Sequence, residues 1–214
     1  MNKLIIDCSL GMSIFVCKDE EIFSKIDENE KKHTDELLAS VDELLVAAGM
    51  KISDIDVIGV CVGPGSFTGV RVAISICKGL AVGTGAKVVA VSNFDAYLTD
   101  EKKTFIVLEG FSNFVYVRKN NGKKVEDSCV DIGEFASEIK DKYADAEVVV
   151  NNEKAQNLLK KYEIQANIGK KQTIDCVNQK IEQKQFIEIN QISPIYLRAS
   201  QAEIERNKKL GGRA

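Results

Sequence analysis

The sequence predicts an α/β protein in two halves, each a mixed sheet with helices packed on it. Short apolar runs of strand length alternate with longer segments whose apolar residues recur at three- and four-residue steps. Each half opens with paired strands and continues with alternating helix and strand, the order that gives a mixed sheet covered by helices. Between the halves, Thr99-Asp100-Glu101-Lys102-Lys103 is a polar interruption. It divides the chain into a lobe over 1–100, a smaller lobe over 101–198 and a polar tail over 199–214.

The composition is that of an ordinary globular protein. Of 214 residues, 44% are hydrophobic and 29% charged, and the net charge is −3. No global basic field exists to hold nucleic acid. No apolar run reaches membrane-spanning length and the N-terminus lacks a signal-peptide pattern, so a cytoplasmic protein is expected. The six cysteines never form a CxxC pair, and most sit inside apolar runs, where a free thiol behaves as a small hydrophobe. With a single histidine, a zinc site would need a combination of distant thiols, and no metal site is expected.

In the first half, Leu4-Ile5-Ile6-Asp7 and Met12-Ser13-Ile14-Phe15-Val16-Cys17 flank a polar, glycine-containing turn, which predicts a hairpin. Glu21-Ile22-Phe23-Ser24 suggests a third strand. Asp7 and Ser9 at the strand end are candidates to face a phosphate or its magnesium ion. The same residue types also build turns by bonding nearby backbone. A helix follows from about Lys31 to Ala48, with a stripe of Leu37, Leu38, Val41, Leu44, Leu45 and Ala48 and a stop at Gly49. His33 lies in its first turn; a second metal ligand one turn on would fall at Leu37, so a partner contact or a solvated residue is the simpler reading.

The organising stretch comes next. Val57-Ile58-Gly59-Val60-Cys61-Val62 predicts a buried strand that runs into Gly63-Pro64-Gly65-Ser66-Phe67-Thr68-Gly69 and then a helix from Val70 to Val82. Ser66 or Thr68 can cap that helix. The loop fails the phosphate-loop pattern, which would need glycine at 68 with lysine and a hydroxyl residue after it. It also fails GxGxxG, because Thr68 stands where the third glycine belongs. Only the general attraction of helix N-termini for anions remains. The helix behind the loop is apolar on most sides: Val70, Ala73, Ile74, Cys77, Leu80 and Ala81 form one face, widened by Val72 and Ile76. Ser75, Gly79 and Gly83 leave a shallow groove. Mid-helix glycine costs about 1 kcal/mol relative to alanine, so Gly79 suggests close approach of another backbone, from this chain or another. Lys87–Val91 reads as a strand and Asn93–Tyr97 as a short helix.

The second half restarts with strands Thr104–Leu108 and Phe114–Val117 and a turn at Asn120-Asn121-Gly122. Helices carry Ile132, Phe135, Ala136 and Ile139, then Ala155, Leu158, Leu159 and Tyr162, with strand Glu147–Val150 between them. A last helical segment carries Ile174, Val177 and Ile181. The tail, with Arg206, Lys208, Lys209 and Arg213, is diluted by Glu203 and Glu205 and reads as a solvated end.

The run GPGSFTGVRVAISICKGLA at 63–81 resembles the signature of the TsaB (YeaZ) family, within the actin-like, sugar-kinase and heat-shock ATPase superfamily. Asp7-Cys8-Ser9, His33 with Leu37-Leu38 and Glu43-Leu44-Leu45, Val57-Ile58-Gly59-Val60 and Ser193-Pro194-Ile195-Tyr196-Leu197-Arg198 match at corresponding places. The resemblance implies a two-lobed actin-like, ribonuclease H-like fold. It also implies a role in making N6-threonylcarbamoyladenosine at position 37 of tRNA, as a scaffold that dimerises with and activates the transferase TsaD, joined by the ATPase TsaE. Alone, the family forms homodimers, and tRNA is touched only indirectly. Partner docking is expected from two helices, through His33, Leu37, Val41 and Leu45 on one and Arg71, Ser75, Lys78, Gly79 and Val82 on the other. Asp7 and Ser9 would be remnants of a degenerate nucleotide site. No cofactor is required, and Glu109-Gly110-Phe111-Ser112-Asn113, where many members carry an Asp-Ala-Arg-like segment, argues against ATP or ADP. The competing readings are a weak ATPase or glycoprotease-like enzyme and a stand-alone homodimeric binding module.

Overall fold

The computed structural model describes residues 1–27, 33–97, 103–121 and 124–197, and the side chains of 33–35 fall outside the description. Its first sheet contains β1 (Lys3–Asp7), β2 (Met12–Lys18), β3 (Glu21–Asp27), β4 (Val57–Cys61) and β5 (Lys87–Val91), with helices α1 (His33–Ala47) and α2 (Phe67–Thr84) between strands. The strand order is β3-β2-β1-β4-β5. The β1–β2–β3 pairs are antiparallel, whereas β1–β4 and β4–β5 are parallel. The central strands are apolar without alternation because both faces of the sheet are covered. On one face Leu4, Ile6, Ile14, Ile58, Val60 and Val88 pack against Leu37, Val41 and Leu45 of α1 and Val70, Ala73, Ile74, Cys77 and Ala81 of α2.

The second sheet holds β6 (Thr104–Glu109), β7 (Phe114–Asn120), β8 (Val125–Asp131), β9 (Glu147–Val150) and β10 (Asn167–Ile168), with α3 (Ile132–Lys142) and α4 (Glu153–Lys160) in the crossovers. Its order is β10-β9-β6-β7-β8. Again the first three strands are antiparallel and the last two join in parallel. The core is Phe105, Val107, Val117, Ile132, Phe135, Val148, Val150 and Leu159. The two sheets therefore repeat one plan: three antiparallel strands, a helix, a strand paired to the first, a helix and an edge strand.

The polar boundary near residue 100 is where the first compact unit breaks off, but the second boundary is not at 198. The first unit comprises Met1–Asp100 together with Gly169–Ile195, and the second is built on Glu101–Ile168. The reason is a covering requirement. Ile5, Val57, Val89 and Val91 form the other face of the first sheet, and α5 (Thr173–Glu182) buries it with Cys176 and Val177. After α5 the chain follows the edge of the sheet, where Ile187 N donates to Val88 O at 2.9 Å and Ile195 N to Val62 O at 2.8 Å.

Several local expectations change. Residues 93–97 form turns rather than a helix, with Tyr97 N donating to Phe94 O at 3.0 Å. Strands β8 and β10 were not anticipated: β8 (Val125–Asp131) shows no regular apolar alternation, and β10 is a two-residue exposed edge. The turn at 120–122 lies partly outside the described residues, as does the tail from Arg198 onward. Leu38, expected in the stripe of α1, is 51% exposed. Helix α2 does have the length and apolarity of a membrane span. Its inner face is spent on the core of the first unit, however, and its outer face carries Arg71.

Candidate functional site

Two features of the first unit bring the singled-out residues together: the end of β1, and the loop and helix that follow β4. Asp7 is the last residue of β1 and is buried. Its Oδ1 accepts from Ser9 N at 2.9 Å and from Ser9 Oγ at 2.6 Å. Its Oδ2 pairs with Lys171 Nζ at 2.7 Å. Lys171 Nζ also reaches Ser9 Oγ at 3.5 Å, and Cys61 Sγ approaches the same hydroxyl at 3.5 Å. Burial pushes the Asp7 carboxyl up, but the Lys171 ammonium and the Ser9 hydrogen bonds outweigh it and hold it below the usual aspartate range. Burial likewise depresses Lys171, and the charge of Asp7 more than restores it, so the ammonium stays protonated. Burial pushes the Cys8 and Cys61 thiols up to about 12, which removes both as nucleophiles.

Asp7 and Ser9 thus act as the sequence allowed on its plainer reading, as turn formers, with an added buried ion pair. Lys171 was not foreseen. It sits in a Lys170-Lys171 pair ahead of α5, where nothing in the sequence separates a half-buried, paired lysine from a solvated one.

The glycine loop is packed directly onto this strand end. Ser66 N donates to Ser9 O at 2.7 Å. A Cβ at Gly65 would lie 2.2 Å from Ser9 O, and one at Gly69 would lie 2.1 Å from Cys8 O. Neither position accepts a side chain without moving backbone. Ser66, rather than Thr68, is the cap of α2, accepting from Gly69 N at 3.2 Å. Asn93, which follows β5, closes the loop from the other side: its N donates to Gly63 O at 2.7 Å and its side chain to Pro64 O at 3.1 Å. Gly63, Pro64, Gly65, Ser66, Phe67, Thr68 and Gly69 therefore form a fixed turn that aims α2. Asn93 was missed because its role depends on β5 lying beside β4.

The outer face of α2 carries Thr68, Arg71, Ser75, Gly79, Val82 and Gly83, all exposed, with Lys78 half-buried. The Arg71 guanidinium lies 3.6 Å from the centroid of the Phe67 ring. Among the described residues nothing outside α2's own backbone comes within 4 Å of a Cβ built at Gly79 or Gly83, so none of them fills the groove. Val82 is 73% exposed, and on α1 Leu38 is 51% and Val46 79% exposed. Three of the four α1 residues expected to meet a partner face inward instead. Leu37, Val41 and Leu45 are buried in the core, because the apolar stripe faces the sheet. His33 opens α1, and its side chain lies outside the described residues.

The family model described as TsaD, tRNA N6-adenosine threonylcarbamoyltransferase, matches residues 21–177, which include β4, the glycine loop and α2. The tRNA threonylcarbamoyladenosine biosynthesis protein TsaB of Haemophilus influenzae is 33% identical over 112 residues, covering 50% of this chain and 46% of that protein. TsaB of Escherichia coli is 33% identical over 93 residues, covering 43% and 40%. The chain belongs to this family, on its TsaB (YeaZ) branch. The aligned stretch spans less than half the length of either relative. In fold the likeness runs further. A Pseudomonas aeruginosa crystal structure, described as a protein with similarity to peptidase YeaZ, superposes with a TM-score of 0.75 at 21% identity, over 92% of this chain and 99% of that one. The doubled five-stranded plan is the actin-like, ribonuclease H-like fold.

Proposed function

We propose that this chain is a non-catalytic subunit of the machinery that installs N6-threonylcarbamoyladenosine at position 37 of tRNA. In this reading it docks on TsaD through the exposed face of α2 and activates it. The observation that supports the reading most directly is that face: Ser75, Gly79 and Val82 stand open, with room at Gly79 for a partner's backbone. The names of the relatives supply the reaction. TsaE completes the assembly, tRNA is held by the partners, and the protein works in the cytoplasm without a cofactor of its own. The buried, protonated thiols and the neutralised Asp7 favour a scaffold over a hydrolase.

Mixing the chain with TsaD and TsaE and assaying modified adenosine on tRNA, omitting each in turn, tests the reading. Modification is expected to depend on this chain, and undiminished modification in its absence overturns the proposal. Gly79→Leu is expected to abolish co-elution with TsaD while the monomer keeps its melting curve, because a Cβ at Gly79 has open space among the described residues. Co-elution retained by that variant removes α2 from the interface. The same face suits a homodimer when TsaD is absent, which light scattering with and without TsaD distinguishes.

A further inference from the structure

The actin-like fold is one that holds a nucleotide and its magnesium ion against a strand-end carboxylate and a glycine loop, and the corresponding residues here do not fit that pair. A divalent cation needs carboxylate oxygens open to it. Both oxygens of Asp7 are engaged, one by Ser9 and the other by the Lys171 ammonium at 2.7 Å. A phosphate needs free backbone donors at the helix start. Of the donors there, Ser66 N is given to Ser9 O at 2.7 Å, Gly69 N to Ser66 Oγ at 3.2 Å and Val70 N to Ser66 O at 3.0 Å, which leaves fewer for a phosphate. The loop backbone approaches Ser9 O and Cys8 O so closely that even a methyl group is excluded at Gly65 and Gly69.

We infer that Lys171 is a tethered counter-ion that occupies the place of a bound cation at the end of β1. Its ammonium neutralises Asp7 from within the chain and latches the returning segment 169–195 onto the first sheet. The latch is reinforced one residue on, where Gln172 N donates to Ala96 O at 2.7 Å. The surroundings suit a permanent internal charge pair. Asp7 is 2% exposed and the Lys171 side chain 25%, and the Ser9 hydroxyl, itself approached by Cys61, lies against the pair. The inference stands on the first unit alone and holds whether or not the chain pairs with TsaD.

Manganese binding, followed by electron paramagnetic resonance with and without ATP, tests it on the full chain in four forms: wild type, Lys171→Ala, Asp7→Asn/Lys171→Ala and Asp7→Asn/Lys171→Met. The wild type and the neutral Asn/Met variant are expected to behave alike, with no stoichiometric manganese site. Lys171→Ala is expected to lose on the order of 10 °C in melting temperature, to gain one manganese site, and to recover stability in methylammonium chloride, which replaces the missing ammonium. Both the new site and the rescue should vanish in Asp7→Asn/Lys171→Ala. A wild-type manganese or manganese–ATP site that is lost in the Asn/Met variant overturns the inference. So does a Lys171→Ala chain that neither manganese nor methylammonium stabilises. Loss of tRNA modification in reconstitution bears on the scaffold proposal and leaves this result untouched.

Discussion

The two units share a plan and use it differently, most visibly where the first strand of each ends. In the first unit β1 ends in Asp7, buried and paired with Lys171 from far along the chain. In the second, β6 ends in Glu109, whose carboxylate accepts from Asn152 at 3.1 Å and pairs with Lys154 on the first turn of α4. Each strand end carries an acid, and each acid meets a lysine. In the first pair Asp7 is 2% and Lys171 25% exposed, whereas in the second Glu109 is 24% and Lys154 79% exposed, so the second pairing is more screened by water. The helices behind the strand ends diverge in the same sense. Helix α2 runs 18 residues and leaves an open small-residue face; α4 runs eight and is capped by Asn152. The same topology thus holds a buried, internally neutralised strand end and a long helix with an exposed small-residue face in one unit, and a shorter, more solvent-facing version in the other.

The contrast can be broken most severely by ending the chain at Ile168. The first sheet then loses α5, with Cys176 and Val177, and Lys171 as well, while the second unit's core is untouched. Hydrogen exchange should show protection lost across β1, β4 and β5 and retained in β6, β7 and β9. Equal protection in both units would mean that the returning segment is not integral to the first.

Smaller but still large, Lys171→Ala should cost about 3 kcal/mol by leaving a buried carboxylate uncompensated, measured by urea unfolding. The effect has a pH signature. Because the folded Asp7 titrates below its ordinary value, the pair's contribution is complete above the usual aspartate range and is lost as pH falls through the folded value. Because Lys171 is raised, its share is lost only as pH climbs past the ordinary lysine range. In the variant the lysine charge no longer opposes burial and only the Ser9 hydrogen bonds do, so Asp7 titrates higher than in wild type and the gap to wild type should narrow on acidification from neutral pH. A gap constant between pH 7 and pH 4 would show that Lys171 acts by packing.

Ser66→Ala should remove about 1 kcal/mol by uncapping α2, and a calorimetric melt would register it. Lys154→Ala, the counterpart of Lys171→Ala, should change stability by less than about 0.5 kcal/mol. If the two lysine variants cost the same, the distinction between an enclosed and a solvated strand end collapses.

The repeated layout was legible because periodicity is local. The apolar runs at 4–6, 57–62, 104–108 and 147–150 are strands, and the steps at 70–81, 132–139 and 155–159 are helices. The loop's failure to match either phosphate pattern pointed to a structural turn, and its contacts with Cys8 and Ser9 give the reason. What stayed hidden depends on pairing across distance. Val125-Glu126-Asp127-Ser128-Cys129-Val130 lacks alternation, since β8 is an edge strand held by β7. The stripe on α1 could not say which apolar residues face inward, so Leu37, Val41 and Leu45 were placed on the wrong side of the helix for docking. Lys171 could be found only once the segment carrying it was seen beside β1.

The discontinuous first unit has a consequence for synthesis. As the chain leaves the ribosome, β1 to β5 emerge first, yet the sheet face of Ile5, Val57, Val89 and Val91 has no cover until α5 follows. The second unit, encoded between, has its whole core available by residue 168 and can fold ahead of the lobe that precedes it. At ordinary elongation rates the remaining residues to Ile195 take about one to five seconds. During that interval the nascent chain carries a finished end and an unfinished beginning, and the bare sheet face is what a chaperone would meet.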